Sequence, residues 1–178
     1  EFIRYKGAGN YKTYEAQIEL LLDQNYSELV YLAEDDYVFL PNAFEKAIDF
    51  YRSSQDIDFL TLYDSLDYYK MEFHNYNSQT KNFSNEIWRT VSCTTGSFMT
   101  SKQILKDKRW VFETLSKKSN YDSSLWISLT KMKLFQFSSI KRYLYGQDRD
   151  LVRLLKCWIY CWKQILFGKK YNLWAPTP

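Results

Sequence analysis

Apolar and polar positions along the first third of the chain follow patterns that predict a helix, a strand, a second helix and a second strand. Residues 10–24 repeat apolar side chains at helical spacing, and residues 41–52 do the same behind Pro41, which suits the first turn of a helix. Residues 28–33 and 57–63 are short apolar runs rich in β-favouring side chains. A strand, a helix and a strand at this spacing predict a βαβ unit, and therefore a parallel α/β sheet.

The remaining pattern predicts a long loop followed by strands and helices. Residues 64–86 are polar and aromatic without a clear period, and loops of that length in compact domains are often functional. We see no internal repeat and no domain boundary, so we expect one domain over residues 1–178. The later predicted elements are one or two strands within residues 87–100, helices over residues 101–118 and 121–133, a strand over residues 134–138 and a helix over residues 148–167.

The segment 148–168 is strongly amphipathic. Its leucine, isoleucine and tryptophan side chains fall on one face, and most of its basic side chains fall on the other. Such a helix suits docking on an anionic membrane surface, and it equally suits packing of the apolar face on the domain core. The sequence leaves both interpretations open, with peripheral membrane contact as one expected partnership.

Composition indicates a soluble globular domain. Apolar residues make up 46% and aromatic residues 19% of the 178 residues, while the chain has only 5 glycines and 3 prolines. These values exclude a disordered or fibrous chain, because there is ample apolar surface to bury on folding. No apolar run reaches the ~18 residues of a membrane span, and no signal peptide opens the chain.

The three cysteines and the single histidine limit the disulfides, metal sites and nucleophilic catalysis that can be expected of the chain. Cys93, Cys157 and Cys161 form no even disulfide framework and a zinc site would need further ligands, so we expect buried thiols in a reducing compartment. Because His74 is the one histidine, Ser-His-Asp and Cys-His catalysis are not expected. The expected localisation is cytoplasmic, or peripheral at the cytoplasmic face of a membrane.

Charge is distributed unevenly, although the net charge is only +3. Residues 1–100 carry 8 basic and 16 acidic side chains, whereas residues 101–178 carry 16 basic and 5 acidic ones. An acidic half that can hold a cation is thus joined to a basic half that can bind phosphates or an anionic membrane. Charged side chains scattered over solvent-exposed helix faces would give the same counts. The basic half contains no recognisable nucleic-acid-binding module, so no nucleic-acid partner is expected.

The strongest chemical signal is the acidic triplet Glu34-Asp35-Asp36, which follows the first predicted strand. Three adjacent carboxylates repel one another unless a cation or solvent offsets their charge. Ligands bind at the carboxyl ends of strands in open α/β sheets, and oxygen ligands select hard ions such as Mg²⁺ or Mn²⁺. The triplet therefore predicts a divalent cation that bridges a diphosphate, or else an acidic turn before a helix whose N-terminus favours negative charge.

Residues 7–48 resemble the centre of family 2 glycosyltransferases with the GT-A fold. The resemblance is carried by a glycine- and asparagine-containing loop before a helix, an apolar strand, an Asp-x-Asp-like motif and a proline that opens a helix; the stretches are KGAGNYKTYEAQIELLL, ELVYLAEDDYVFLP and NAFEKAI. Residues 88–98 are similar to the segment that lines the acceptor side in such enzymes. Residues 121–126 are similar to the place of their catalytic carboxylate, and residues 174–178 to a late loop that leads into a metal-binding histidine.

The resemblance implies a Rossmann-like, open and mostly parallel sheet flanked by helices. The usual first strand of that fold, whose loop holds the nucleotide base, would precede Glu1 and is missing, and residues 174–178 are predicted as the middle of a loop. We therefore expect a GT-A-type domain that is partial at both ends. The implied reaction is one inverting displacement, in which a nucleotide-sugar donor gives its sugar to a hydroxyl of a carbohydrate or glycoconjugate acceptor.

The resemblance also implies roles for individual residues, with Mn²⁺ or Mg²⁺ as the cofactor. Asp36 is the direct metal ligand, and Glu34 or Asp35 contacts ribose or a metal-bound water. Asp122 is the general base, or it simply caps the helix that begins at Ser123.

For several other residues, the sequence leaves both a binding role and an ordinary structural role open. Arg4 and Lys6 contact donor phosphates or belong to a solvated N-terminal arm. Arg89 reaches the cleft from its strand or forms an ordinary cross-strand ion pair. Trp88 stacks on a sugar or packs in the core, and its neighbours Thr95 and Gly96 are expected on the acceptor side.

Two other classes of function remain open at this point. A nucleotidyl- or phosphoryl-transfer enzyme would also use Mg²⁺ and clustered carboxylates, although the chain lacks a glycine-rich phosphate loop with lysine and serine or threonine. A non-catalytic carbohydrate-binding module would stack aromatic side chains on sugars. Its usual all-β pattern conflicts with the four or more helices that the sequence predicts.

Overall fold

One open six-stranded sheet lies at the centre of the computed structural model, which describes residues 6, 9–70, 77–132, 134 and 148–177. The strands are β1 (Leu29–Leu32), β2 (Phe59–Leu60), β3 (Thr80–Phe83), β4 (Glu86–Val91), β5 (Phe98–Ser101) and β6 (Leu173–Pro176). The helices are α1 (Asn10–Asp23), α2 (Ala43–Arg52), α3 (Asp67–Lys70), α4 (Lys102–Lys118), α5 (Asp122–Thr130) and α6 (Asp148–Phe167). The helices predicted from apolar periodicity are therefore confirmed, with shifts of a few residues at their ends.

The mixed α/β sheet with flanking helices is confirmed, but its mostly parallel character is not. The strand order is β1-β5-β2-β6-β4-β3, and among the described strands only β2 and β6 are parallel neighbours. β1 and β2 do run in the same direction, because each pairs antiparallel with β5, which lies between them. A strand–helix–strand pattern predicts the direction of two strands, but it does not say which strand fills the space between them.

β6 is one of the elements that the sequence pattern misses. A loop is predicted at residues 174–178, whereas Leu173–Pro176 form a strand between β2 and β4. The backbone N–H of Thr61 donates to the carbonyl of Trp174 at 2.8 Å, and Trp174 lies opposite Thr90 on the other side. Because these partners are distant in sequence and the strand ends in a proline, no local periodicity marks it.

The predicted loop over residues 64–86 contains more structure than expected. It holds α3 and the β3–β4 hairpin, whose turn residues Ser84 and Asn85 have φ values of 49° and 64°. Two residues with positive φ are typical of tight hairpin turns. Residues 71–76 lie outside the described residues, as do all but the first residue of the strand predicted over residues 134–138.

Both faces of the sheet are covered by helices. On one face, α1, α4 and α5 enclose a core in which the rings of Phe59, Phe98 and Trp126 meet edge-on with centres 5.0–6.0 Å apart. On the other face, α2 packs on the sheet, and Phe50 stacks on Trp88 with ring centres 4.2 Å apart. Burial of these large rings is the main favourable term that holds the layers together.

α6 packs against α5 and α4 through one buried face that includes Cys157, Cys161 and Ile165. Cys161 has φ −121° and ψ 18°, so the helix is kinked at this residue. Among the helices that the structure describes, none combines the length and the apolar character needed to cross a membrane.

Candidate functional site

A cavity of about 1140 Å³ opens where the end of β1, the segment before β5, the start of α5 and one face of α1 meet. The antiparallel pairing of β1 with β5 brings the first two together, because Leu32 lies opposite Phe98 and the residues that follow Leu32 therefore face those that precede Phe98. Predicted metal-binding, donor-side, acceptor-side and catalytic residues thus line one space: Glu34, Asp35, Asp36, Thr95, Gly96 and Asp122.

The backbone of the acidic triplet is fixed against the segment before β5. The Glu34 N–H donates to Ser97 Oγ at 2.9 Å. The Glu34 side chain lies over Gly96, where a Cβ atom would come within 3.1 Å of Glu34 Oε1. Glycine at position 96 therefore leaves room for this carboxylate, which stays exposed to the cavity together with Asp35 and Asp36.

Tyr37 and Thr95 form a second link between the same two segments. Their side-chain oxygens are 3.2 Å apart. Burial raises the pKa of Tyr37, and the carboxylates of Glu34 and Asp36 raise it further against the effect of the Thr95 hydrogen bond. Tyr37 therefore keeps its proton at neutral pH beside two members of the acidic triplet.

Asp122 is the first residue of α5, and it is not the residue that caps this helix. The N-cap position belongs to Tyr121, and no side-chain cap hydrogen bond is formed there. α5 is held against the wall of the cavity because the Trp126 indole N–H donates to the Thr95 carbonyl at 3.4 Å. The Asp122 residue is exposed to the open cavity, yet the protein around it removes part of the hydration of its carboxylate and raises the pKa of this carboxyl, so the group is a stronger base than an ordinary aspartate when ionised.

Tyr14 connects the two groups of carboxylates electrostatically. It lies on the face of α1 that lines the cavity. Burial raises the pKa of its hydroxyl well above the ordinary value, and the carboxylates of Asp122 and Glu34 raise it further. Tyr14 therefore stays protonated and can act only as a neutral hydrogen-bonding group between the base candidate and the acidic triplet.

The cavity has the donor atoms that a hard divalent cation prefers, but not a complete cage for it. Carboxylates of the acidic triplet, Asp67 and Asp122 all face it. Within the described part of the chain, no three His, Cys, Asp or Glu side chains converge closely enough to hold an ion on their own. Mg²⁺ is commonly held by one or two carboxylates together with substrate phosphates and water. The residues present fit a cation that is shared with a diphosphate.

Three described residues that were predicted for the site do not line the cavity. Trp88 is 1% exposed and is covered by Phe50, so it has no free face for a sugar and we remove it from the acceptor side. Arg89 is paired with Asp64, with Nη2 and Oδ1 2.9 Å apart, and the partner is on the loop after β2 and not on a neighbouring strand. Lys6 is exposed and does not line the cavity, while Arg4 lies outside the described residues.

The thiols do not offer an alternative nucleophile. Cys93 lines the cavity, but burial raises the pKa of its thiol to about 12, so it stays protonated at neutral pH. Burial raises the pKa of Cys157 and Cys161 as well, and both side chains are fully covered. The lone histidine, His74, lies outside the described residues.

Tyr14 and Arg153 are two of the cavity residues that the sequence pattern does not predict for the site. Tyr14 is predicted on the core face of α1, and the only hint of another role is a hydroxyl on an otherwise aliphatic face. Arg153 is predicted on the solvent face of α6, yet it lines the cavity and is the one lysine or arginine among the described residues that do so. Its position depends on packing, since Ser124 Oγ of α5 donates to the Arg153 carbonyl at 2.7 Å.

The arrangement can bind a cation together with a negatively charged ligand, and it places a separate basic carboxylate in the same space. Comparison of the chain with protein-family models, with curated proteins and with solved structures gave no match. The chemistry of the site is therefore the observation from which a function can be inferred.

Proposed function

We propose that the chain is a metal-dependent glycosyltransferase of GT-A type, which moves a sugar from a nucleotide-sugar donor to an acceptor hydroxyl with inversion. The observation that carries the proposal is that the acidic triplet, Thr95, Gly96 and Asp122 line one cavity although they come from three separate segments. The cavity volume of about 1140 Å³ slightly exceeds the roughly 300–1,000 Å³ of most small-molecule sites, which suits a nucleotide sugar together with the end of an acceptor.

The donor side of the proposed site is the end of β1. Asp36 would hold Mn²⁺ or Mg²⁺ directly, and Glu34 or Asp35 would contact ribose or a metal-bound water. When bound, the cation supplies positive charge that stabilises the departing diphosphate. Arg153 adds a second positive charge to a cavity whose other charged lining residues are carboxylates.

The acceptor side of the proposed site is the start of α5. The acceptor oxygen forms a bond to the anomeric carbon, the bond from that carbon to the phosphate oxygen breaks, and the electron pair leaves with the diphosphate. The hydroxyl proton passes to the Asp122 carboxylate. A sugar hydroxyl is too weak an acid to react unaided, and positioned proton transfer contributes about 10²–10⁴-fold to such a step.

The GT-A part of the proposal rests on the resemblance of residues 7–48 and on the strand-end position of the acidic triplet. The antiparallel majority of the sheet does not add to it. What the sheet contributes is the β1–β5 pairing, which brings the donor-side and acceptor-side segments to the same cavity wall.

Calorimetric titration of nucleoside diphosphates and nucleotide sugars, with and without Mn²⁺, tests the donor side. We expect binding that requires the cation and that Asp36→Asn weakens by about tenfold or more, or about 1.4 kcal/mol. Asp49→Asn is the matched control, because Asp49 is an exposed carboxylate on α2 outside the cavity. Equal binding by Asp36→Asn and the parent chain would contradict the metal assignment.

Product analysis separates the proposal from the other transfer reactions. With a donor that binds, mass spectrometry of the acceptor is expected to show the added mass of a sugar and release of a nucleoside diphosphate. Addition of a nucleoside monophosphate or of a phosphate to the acceptor would instead identify nucleotidyl or phosphoryl transfer. Binding of free sugars without any cation or nucleotide dependence would indicate a carbohydrate-binding module.

A further inference from the structure

α6 has an exposed apolar stripe that is separate from its buried face. The side chains of the stripe recur at intervals of three and four residues, which places them on one side of a helix. Their exposed fractions run from 38% to 79%, so neither the sheet nor another described helix covers them. The stripe consists of Val152, Leu155, Ile159, Trp162, Leu166 and Phe167.

This division corrects the predicted pattern of segment 148–168. The sequence predicts one apolar face that either packs on the core or meets a membrane. In the structure, the face with Leu154, Cys157 and Ile165 packs against α5 and α4, while the neighbouring apolar stripe remains exposed. Packing on the core therefore does not account for all apolar residues of the helix.

The charged side chains of α6 from residue 151 onward, and of the segment that follows this helix, are all basic. From residue 151 to residue 178 the chain contains no aspartate or glutamate and five basic side chains: Arg153, Lys156, Lys163, Lys169 and Lys170. Lys163 and Lys170 are exposed, and the Lys163 ammonium lies 5.7 Å from the centre of the Trp162 ring, at the edge of the stripe. An apolar stripe that contains a tryptophan and has lysines at its edge complements a surface with an apolar interior and an anionic outer layer.

We propose that the α6 stripe docks on the surface of an anionic phospholipid membrane. The apolar side chains enter the boundary between headgroups and acyl chains, and the flanking lysines approach lipid phosphates. A second copy of the chain is a poorer fit for the stripe. In a two-fold contact with the helices parallel, the same lysines of both copies would approach each other, and residues 151–178 contain no aspartate or glutamate to offset them.

Docking also positions the cavity. Arg153 of α6 lines the cavity. Its near neighbours on the same helix, Val152 and Leu155, belong to the exposed stripe. A docked α6 therefore holds the cavity close to the membrane surface. This inference does not depend on the proposed function, since the stripe lies outside the cavity.

Co-sedimentation with vesicles tests the docking. Vesicles of equimolar phosphatidylglycerol and phosphatidylcholine are compared with pure phosphatidylcholine, at low and at high salt. We expect the parent chain to pellet with the anionic vesicles at low salt, and Ile159→Glu/Trp162→Glu to weaken this partitioning by about tenfold or more. The matched control is Leu20→Glu/Ile87→Glu, which adds the same charge at residues 43% and 49% exposed on α1 and β4.

Loss of vesicle binding by the stripe variant could also result from unfolding, so two further measurements accompany the co-sedimentation. Circular dichroism melting shows whether the stripe variant is folded. If it is unfolded, the variant Lys163→Glu/Lys170→Glu takes its place. This variant keeps the apolar stripe intact and is expected to lose the preference for anionic vesicles. No pelleting of the parent chain at low salt would overturn the proposal. So would equal pelleting of the parent and stripe variants, or a dimer in sedimentation velocity that the stripe variant abolishes without any vesicle binding.

Discussion

The contact between Glu34 and Gly96 shows that the position of one cavity carboxylate depends on the absence of a Cβ atom at position 96. The Glu34 carboxylate occupies the space that a side chain at position 96 would need. Glu34 is exposed and has a long side chain, so its carboxylate can be displaced at little cost to the fold. Its position, and not the stability of the chain, is what a larger residue at position 96 would change.

Gly96→Ala is therefore expected to leave the free energy of unfolding within about 1 kcal/mol of the parent value while weakening cation-dependent nucleotide binding several-fold. The reason is a Cβ atom 3.1 Å from Glu34 Oε1, which displaces the carboxylate. Calorimetry in a double-mutant cycle with Glu34→Ala provides the control. If Gly96→Ala weakens binding equally when Glu34 is absent, the effect does not pass through this carboxylate.

Asp122 gives a prediction with a defined dependence on pH. Its folded-state pKa is raised, so its contribution to stability is fully present below the unfolded pKa and is lost as the pH rises through the folded pKa. At neutral pH, Asp122→Asn should thus leave stability unchanged or higher. Turnover is expected to fall by about 10²–10⁴-fold, and parent turnover should decline as acid protonates Asp122.

Urea denaturation and rate measurements over a pH series check this prediction. Asp107→Asn is the control, since Asp107 is an exposed aspartate on α4 outside the cavity. A loss of roughly 1 kcal/mol with unchanged turnover would mean that Asp122 only supports the start of its helix.

At the scale of elements, the helices were predictable and the strand neighbours were not. α1, α2 and α4 have apolar faces whose period is visible in the chain itself, and burial follows that period. β6 has no such signal, because its partners lie on β2 and β4. The acidic triplet was predicted as a site from residue type and position, and Asp122 from the family resemblance, whereas Tyr14 and Arg153 line the cavity through the packing of whole helices.

The connection between β2 and β6 depends on a buried carboxylate. Asp58, just before β2, accepts from the Asn172 N–H at 2.9 Å and pairs with Lys169 at 2.8 Å, although its side chain is only 5% exposed. Asp58→Ala is expected to destabilise the fold by about 1–3 kcal/mol, because it leaves the Asn172 N–H without an acceptor. Asp58→Asn keeps an acceptor oxygen and should cost less.

Chemical denaturation of these two variants, with Asp49→Ala as an exposed control on α2, measures the difference. An Asp58→Ala midpoint equal to that of the control would show that the link between β2 and β6 does not need this carboxylate.

At the scale of the whole molecule, the sheet is joined by its last strand. β1, β5 and β2 form one group of neighbours, β4 and β3 form another, and β6 lies between the two groups. We expect a chain that ends at Asn172 to lose its cooperative unfolding transition, because β2 and β4 then have no common neighbour. A chain that ends at Pro176 keeps β6 and loses the two hydrogen bonds that Thr177 donates to the Ile87 carbonyl, so it should unfold nearly as the parent does. Thermal melts followed by circular dichroism compare the two.

The central position of β6 has a consequence for how the chain is made. Synthesis proceeds at about 5–20 residues per second, so β6 leaves the ribosome on the order of ten seconds after β2. Until β6 arrives, the edges of β2 and, once it is made, of β4 have open backbone hydrogen-bonding groups next to large apolar side chains. A nascent chain of this kind is a good substrate for chaperones that bind extended apolar segments, and a codon change that slows translation before residue 173 would lengthen its exposure.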